Sequence, residues 1–205
     1  MLEPQEYGFA SICFSHFFYI FLSKMFCMRI DEYLKNVNEK DVRYYSKEDS
    51  ILFNSKGDNF VMSNMYPCRL VYEGITFHSV EQLYFWMLYS ENKKMQDKIL
   101  SFNGICNAFD VKKFCKEHIN ERDKDYELKK YRCLGKCLEL KYKQCEEFRE
   151  AINESADKQL VELAPWDAEF GAMWIKEHNA YVGKNACGRM MMNVRNAEHV
   201  VVFFN

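Results

Sequence analysis

The sequence predicts a single, mainly helical domain with a small β element, and three features carry that prediction. Leu128, Tyr131, Leu134, Leu138, Tyr142, Cys145, Phe148 and Ile152 recur at steps of three and four, the pattern of one long amphipathic helix. In "FHSVEQLYFW", Ser79 is followed three positions later by Gln82, the form of a capping box with Val80 as the first helical residue. The clearest β signal is "RLVYEGITF", two short β-prone runs around Glu73 and Gly74, which read as a hairpin just before Ser79.

Composition bounds the function. The 205 residues, 48% hydrophobic and 16% aromatic, suit one packed domain with at most an appendage. Twenty-eight basic against 30 acidic residues give a formal net charge of -2, which excludes a global field drawing the chain to nucleic acid or an anionic membrane. The nine cysteines are odd in number, with no C-x-x-C and no zinc-type Cys/His spacing, and read as reduced thiols of a cytoplasmic protein. Cys133, Cys137 and Cys145 fit small apolar filler on a helix face. No metal or cofactor is implied.

Taken in order, "YGFASICFSHFFYIFLSKMFCM" (7–28) is nearly continuous in apolar residues from Phe9 to Leu22, short of the roughly 20 that cross a bilayer. Glu3 and Glu6 precede it where a signal peptide would be basic. Residues 1–27 are therefore expected to be an upstream translation or a dispensable appendage, with a membrane anchor as the minor alternative, and residues 28–205 the domain. A short helix is expected over 31–36, then loops with brief strands to Pro67, the hairpin, the capped helix from Val80, a helix over 94–100 and another in "DVKKFCKEH". The long helix follows, with its lysines and glutamates on solvated faces. "LVELAPWDAEFGAMW" reads as irregular, and "VGKNACGRMMMNVRNA" as a glycine-containing loop entering a last helix with Met190, Met191 and Val194 towards the core.

The candidate chemistry begins with Glu81, in the first turn of the capped helix. There the helix dipole favours a carboxylate by a few tenths to about 1 kcal/mol. That accounts for the charge as a capping acid; it also suits a group that must face a developing positive charge. Other polar groups stand beside turn formers: Ser63 and Asn64 in "MSNMYP", Glu162 and Asp167 in "VELAPWDAEFG", and Gly183, Asn185 and Gly188 in "GKNACG". Carboxylates, amides and the rings of Tyr66, Tyr84, Trp166 and Phe170 together suit a sugar joined to a flat base.

The ordered series "SNMYP", "GITFHSVEQLYF", "LKYK", "LVELAPWDAEFG" and "VGKNACGRMMMNVR" resembles the NADAR (YbiA-like) family from about Phe53 to Arg195. The resemblance implies a multihelical YbiA-like domain and N-glycosidase chemistry. The family's substrates include phosphoribosylated pyrimidine-type intermediates of riboflavin synthesis and ADP-ribosylated guanine in nucleic acid. Position by position it makes Glu81 the main catalytic carboxylate, with Asp167 and Glu162 as loop carboxylates that orient water. Ser63 and Asn64 match the segment expected to hold ribose or phosphate, and Gly183, Asn185 and Gly188 match the closing loop, expected to offer backbone N–H groups to phosphate. Arg195 matches the terminal arginine, with a structural ion pair as its alternative.

Departures are visible as well. Phe170 and Tyr126 stand where relatives carry Trp, and Phe85 and Leu88 replace a Gln and a Lys of the capped helix. A mechanism that traps an opened ribose on that lysine loses its amine unless Lys184 or another amine substitutes. The expected partner is a phosphorylated nucleotide-like small molecule or a single modified guanine in nucleic acid. The alternatives are a non-catalytic NAD/ADP-ribose-binding module and an antitoxin-type hydrolase acting on ADP-ribosyl-guanine. Nothing in the sequence sets the oligomeric state.

Overall fold

Helix α1 (Ile30–Leu34) leads into strands β1 (Arg43–Tyr45) and β2 (Ser50–Phe53), then the hairpin β3 (Leu70–Tyr72) and β4 (Ile75–Phe77). Four helices follow in succession: α2 (Val80–Leu88), α3 (Lys93–Ser101), α4 (Asn107–Glu117) and α5 (Tyr126–Gln144). The chain closes with α6 (Glu146–Glu154), β5 (Gln159–Glu162), β6 (Met173–Ile175), β7 (Ala180–Gly183) and α7 (Ala186–Arg195). This is a computed structural model that describes residues 30–104 and 107–197, so the expectation for residues 1–27 lies outside the described residues. Among the described residues no helix is long and apolar enough to cross a membrane.

Helix α2 is the centre of the packing. Val80, Leu83 and Leu88 are fully buried, and the helix lies against α4 and α5. Leu134 and Leu138 of α5, Phe148 and Ile152 of α6, Met190 and Met191 of α7 and Phe77 of β4 complete one core. Such burial contributes about 1.5–3 kcal/mol per large apolar side chain. The capping box forms in altered shape. Ser79 Oγ accepts the Gln82 N–H at 3.1 Å, while Gln82 Oε1 reaches past the cap to the His78 N–H at 2.8 Å. The Gln82 amide then donates to the Ile99 and Phe102 carbonyls at 3.0 and 2.9 Å, fastening the end of α3 to the start of α2.

The structure corrects the helical expectation in three respects. The long helix is two. Cys145 takes an extended backbone (φ -113°, ψ 109°) between α5 and α6, and this break turns Phe148 and Ile152 back onto the core. The buried face of α5 also differs: Leu128 is 85% exposed, whereas Lys129, Lys130 and Lys141 are buried with partners. Third, the β content is larger than one hairpin, so the fold is mixed with substantial helical content. A three-stranded antiparallel sheet runs in the order β1-β7-β6, and β2 pairs parallel with β5 from Ser50↔Gln159 to Phe53↔Glu162. The "irregular" segment after α6 is thus two short strands around a loop. The hairpin stands where expected, with Glu73 and Gly74 both at positive φ, 51° and 76°, as a two-residue turn of that twist requires.

Candidate functional site

The site starts at the N-terminus of α2. Glu81 is 7% exposed, and its backbone N–H donates to the Asn64 carbonyl at 2.9 Å, so the "SNMYP" segment is docked on the first turn of this helix. Two further attachments fix that segment. Lys141 Nζ, fully buried in α5, donates to the Val61 and Ser63 carbonyls at 2.7 and 2.8 Å. The Asn64 side-chain amide donates to Cys187 Sγ of α7 at 3.5 Å. Among the described residues Lys141 has no carboxylate partner, and its ammonium lies 4.3 Å from the Phe148 ring centroid and 5.4 Å from that of Tyr66. Burial lowers its pKa to about 8.

The opposite side is built by β5 and the loop after it. Glu162 ends β5, and its N–H donates to Asn185 Oδ1 at 3.1 Å. Asp167 Oδ1 accepts the backbone N–H groups of Glu169 and Phe170 at 3.1 and 3.0 Å, which curls the loop tightly. Gly171 returns this loop to Glu162, and a Cβ there would collide with the Glu162 carbonyl and the Ala164 side chain. Trp166 is left 72% exposed, and Phe170 packs on Tyr131 with ring centroids 5.8 Å apart.

Between these parts lies a cleft of about 620 Å³. It brings together Ser63, Asn64, Glu81, Tyr84, Tyr126, Glu162, Trp166, Asp167 and Phe170 from four separate stretches of chain. Five sequence candidates are not among its lining. Tyr66 packs edge-on against Phe60, 5.4 Å between centroids. Gly183 and Gly188 are small because backbone crosses them closely: a Cβ would strike the Gly171 carbonyl at the first and the Leu160 carbonyl at the second. Asn185 is fully buried in a left-handed conformation (φ 50°), and its amide also donates to the Leu160 carbonyl at 2.8 Å. Arg195 reaches Ser155 Oγ and the Lys158 carbonyl, both at 2.8 Å.

The N–H groups expected to meet phosphate at this helix start are otherwise engaged. Ala186 and Cys187 donate to the Glu169 and Phe170 carbonyls at 3.0 and 3.1 Å. "VGKNACG" therefore ties α7 to the loop and to β5. Lys184, named as a substitute amine, is held by Tyr131 Oη at 2.7 Å and Asp41 at 3.2 Å, outside the cleft lining.

The cleft is electrically divided. Glu81 Oε1 is 3.3 Å from Lys112 Nζ of α4, and the Glu81 charge is the main cause of a raised Lys112 pKa, with Glu162 and Asp167 adding to it. Burial pushes the Glu162 carboxyl up to about 7 against the opposing pull of a Cys187 thiol hydrogen bond and the Lys112 charge. Sequence reasoning missed Lys112, Lys116 and Arg122, which also line the cleft. The two lysines stand four apart in "DVKKFCKEH", hence on one helix face, but the sequence does not say what that face looks at. An acid that holds its proton to near neutral pH, a second carboxylate paired with an exposed lysine, and surrounding rings can protonate a leaving group and stabilise a cationic sugar.

The Escherichia coli protein YbiA, solved by NMR, is similar in fold: TM-score 0.60 at 20% identity, covering 75% of this chain and 87% of that one. No curated protein matches the sequence. The NADAR domain family model matches residues 38–197, which spans the cleft and every strand and helix from β1 to α7. The chain belongs to the NADAR family.

Proposed function

We propose that the protein is an N-glycosidase that hydrolyses a base-to-ribose bond in a phosphorylated nucleotide-like substrate, of the riboflavin-intermediate or ADP-ribosyl-guanine kind. The observation that carries this reading is the buried Glu81 in a cleft shared with Glu162, Asp167 and five aromatic rings. As the C1′–N bond breaks, its electron pair leaves with the base and positive charge spreads over C1′ and the ring oxygen. Glu81 faces that charge. Glu162, protonated up to about pH 7, donates its proton to the departing base. Asp167 has one oxygen committed to its loop; the other orients the attacking water, whose oxygen bonds C1′ and whose proton passes to this carboxylate, leaving the hydroxyl at C1′.

A non-catalytic ADP-ribose-binding module is the second reading, favoured by one observation: Leu88, where relatives carry lysine, borders the cleft as an apolar residue. Incubation with ADP-ribosylated guanine oligonucleotide and with phosphoribosylated pyrimidine intermediates, followed by mass spectrometry of the products, decides between the two. Release of free base, reduced by roughly two orders of magnitude or more in Glu81→Gln, supports the glycosidase. Binding without release supports the module.

A further inference from the structure

We infer that the wall formed by Lys112, Lys116 and Arg122 is the phosphate-binding half of the cleft, taking the phosphate or pyrophosphate of a nucleotide-like ligand. The inference deepens the functional reading above and rests on its phosphorylated substrate. Three cations from α4 and the turn after it line the cleft that holds three carboxylates from α2, the end of β5 and the loop beyond. Among the described residues their one ion pair is that at the seam, Lys112 to Glu81 at 3.3 Å. Lys116 is exposed with no ion pair or hydrogen bond among the described residues.

Arg122 is arranged to meet two oxygens of a phosphate side by side. Its Nε donates to the Ile119 carbonyl at 3.0 Å and its guanidinium lies 3.6 Å from the Tyr126 ring centroid, which fixes the plane, while its terminal amines have no hydrogen-bond partner among the described residues. A ligand with anionic phosphates on one side of a ribose and a glycosidic carbon on the other matches this division of charge. Its phosphates lie on the cationic wall and its reacting carbon at the carboxylates. The wall also supplies what "VGKNACG" does not, since the Ala186 and Cys187 amides are taken by loop carbonyls. When phosphate draws Lys112 from Glu81, the carboxylate is released to face the ribose, so ligand binding and catalytic charge are linked through one ammonium.

The test is calorimetric titration with ADP-ribose, adenosine and a phosphate-free ribose conjugate, using the wild type, Lys116→Glu, Arg122→Gln and Lys113→Glu. Lys113 is exposed on α4 and does not line the cleft, so it controls for net charge. Lys116→Glu and Arg122→Gln are expected to weaken ADP-ribose at least tenfold, to leave the phosphate-free ligands within twofold and to keep the wild-type melting temperature. A single-stranded oligonucleotide that displaces ADP-ribose only when Lys116 is intact supports the wall and assigns its phosphate to a strand. Wild-type affinity in both wall variants, an equal loss in Lys113→Glu, or no ADP-ribose binding by the wild type overturns the inference. Because no turnover is measured, an inert protein that binds through this wall refutes the glycosidase reading alone.

Discussion

Glu162 sits where β5 ends, with its backbone N–H taken by Asn185 and its carboxyl facing a thiol and two other acids. Burial raises its pKa to about 7 from an ordinary carboxyl value, so the folded protein holds a proton there that the unfolded chain releases near pH 4.5. A raised pKa contributes stability that is complete below the unfolded value and lost as pH rises through the folded one. Glu162→Gln keeps the neutral shape at every pH. The variant should match the wild type at pH 4 and exceed it by of order 2 kcal/mol at pH 8, a figure discounted for partial exposure. Urea unfolding at the two pH values checks this; a gap that does not widen with pH would mean the carboxyl ionises normally. The same residue should place the alkaline limb of activity near pH 7, since the proton donor is then spent.

Among elements, the connection of β5 to α7 decides whether the cleft exists. Asn185 holds β5 at two points from a fully buried, left-handed position, and alanine would leave the Glu162 N–H and the Leu160 carbonyl unpaired and its own backbone strained. Asn185→Ala should cost about 2–4 kcal/mol of stability, with ligand affinity per folded molecule changing far less; chemical unfolding beside calorimetric binding separates the two. Lys141 gives the complementary case. A methionine there fills the same apolar space without a buried ammonium, so the fold should change by about 1 kcal/mol or less in either direction. The Ser63–Asn64 segment loses its anchor, and ligand affinity should fall several-fold. A variant with unchanged affinity would show that the Glu81 amide and the Asn64–Cys187 contact suffice to position the segment.

These elements also show what the sequence could say. Glu81, Asn64, Glu162 and Asp167 were legible because each stands beside a cap or turn former, signals that act over three or four residues. Asn185 is legible as a motif residue while its partners are not, because a left-handed asparagine bridging to Leu160 and one facing a phosphate look alike in one dimension. The parallel pairing of β2 with β5 joins Ser50 to Gln159 through strands of four residues, too short for alternation to register. The break at Cys145 kept the three-and-four spacing intact on both sides and so concealed itself. Burial of Lys129, Lys130 and Lys141 depended on partners elsewhere in the chain or on neighbouring carboxylates, such as Glu169 for Lys130 and Ser63 for Lys141.

At the scale of the molecule, the cleft has one firm side and one looser side. Helix α2, the end of β5 and α7 share the buried core, whereas the loop over 163–171 carries the 72% exposed Trp166 and is held mainly by backbone hydrogen bonds. Segments with few buried apolar contacts open locally at lower free energy than the core. A ligand bound between the two sides should therefore act twice. At 100 times its dissociation constant it adds about 2.7 kcal/mol to global stability, which for a domain of this size raises the melting temperature by about 5–10 °C. Hydrogen exchange should slow first at Glu169 and Phe170, whose N–H groups close the loop on Asp167, and in α4 beside the cationic wall. Protection in β5 and α7 should rise only as far as global stability does. If ADP-ribose raises the melting temperature while exchange in the loop is unaltered, the ligand sits elsewhere and the cleft is not the site that the charges of Glu81, Glu162 and Asp167 make it.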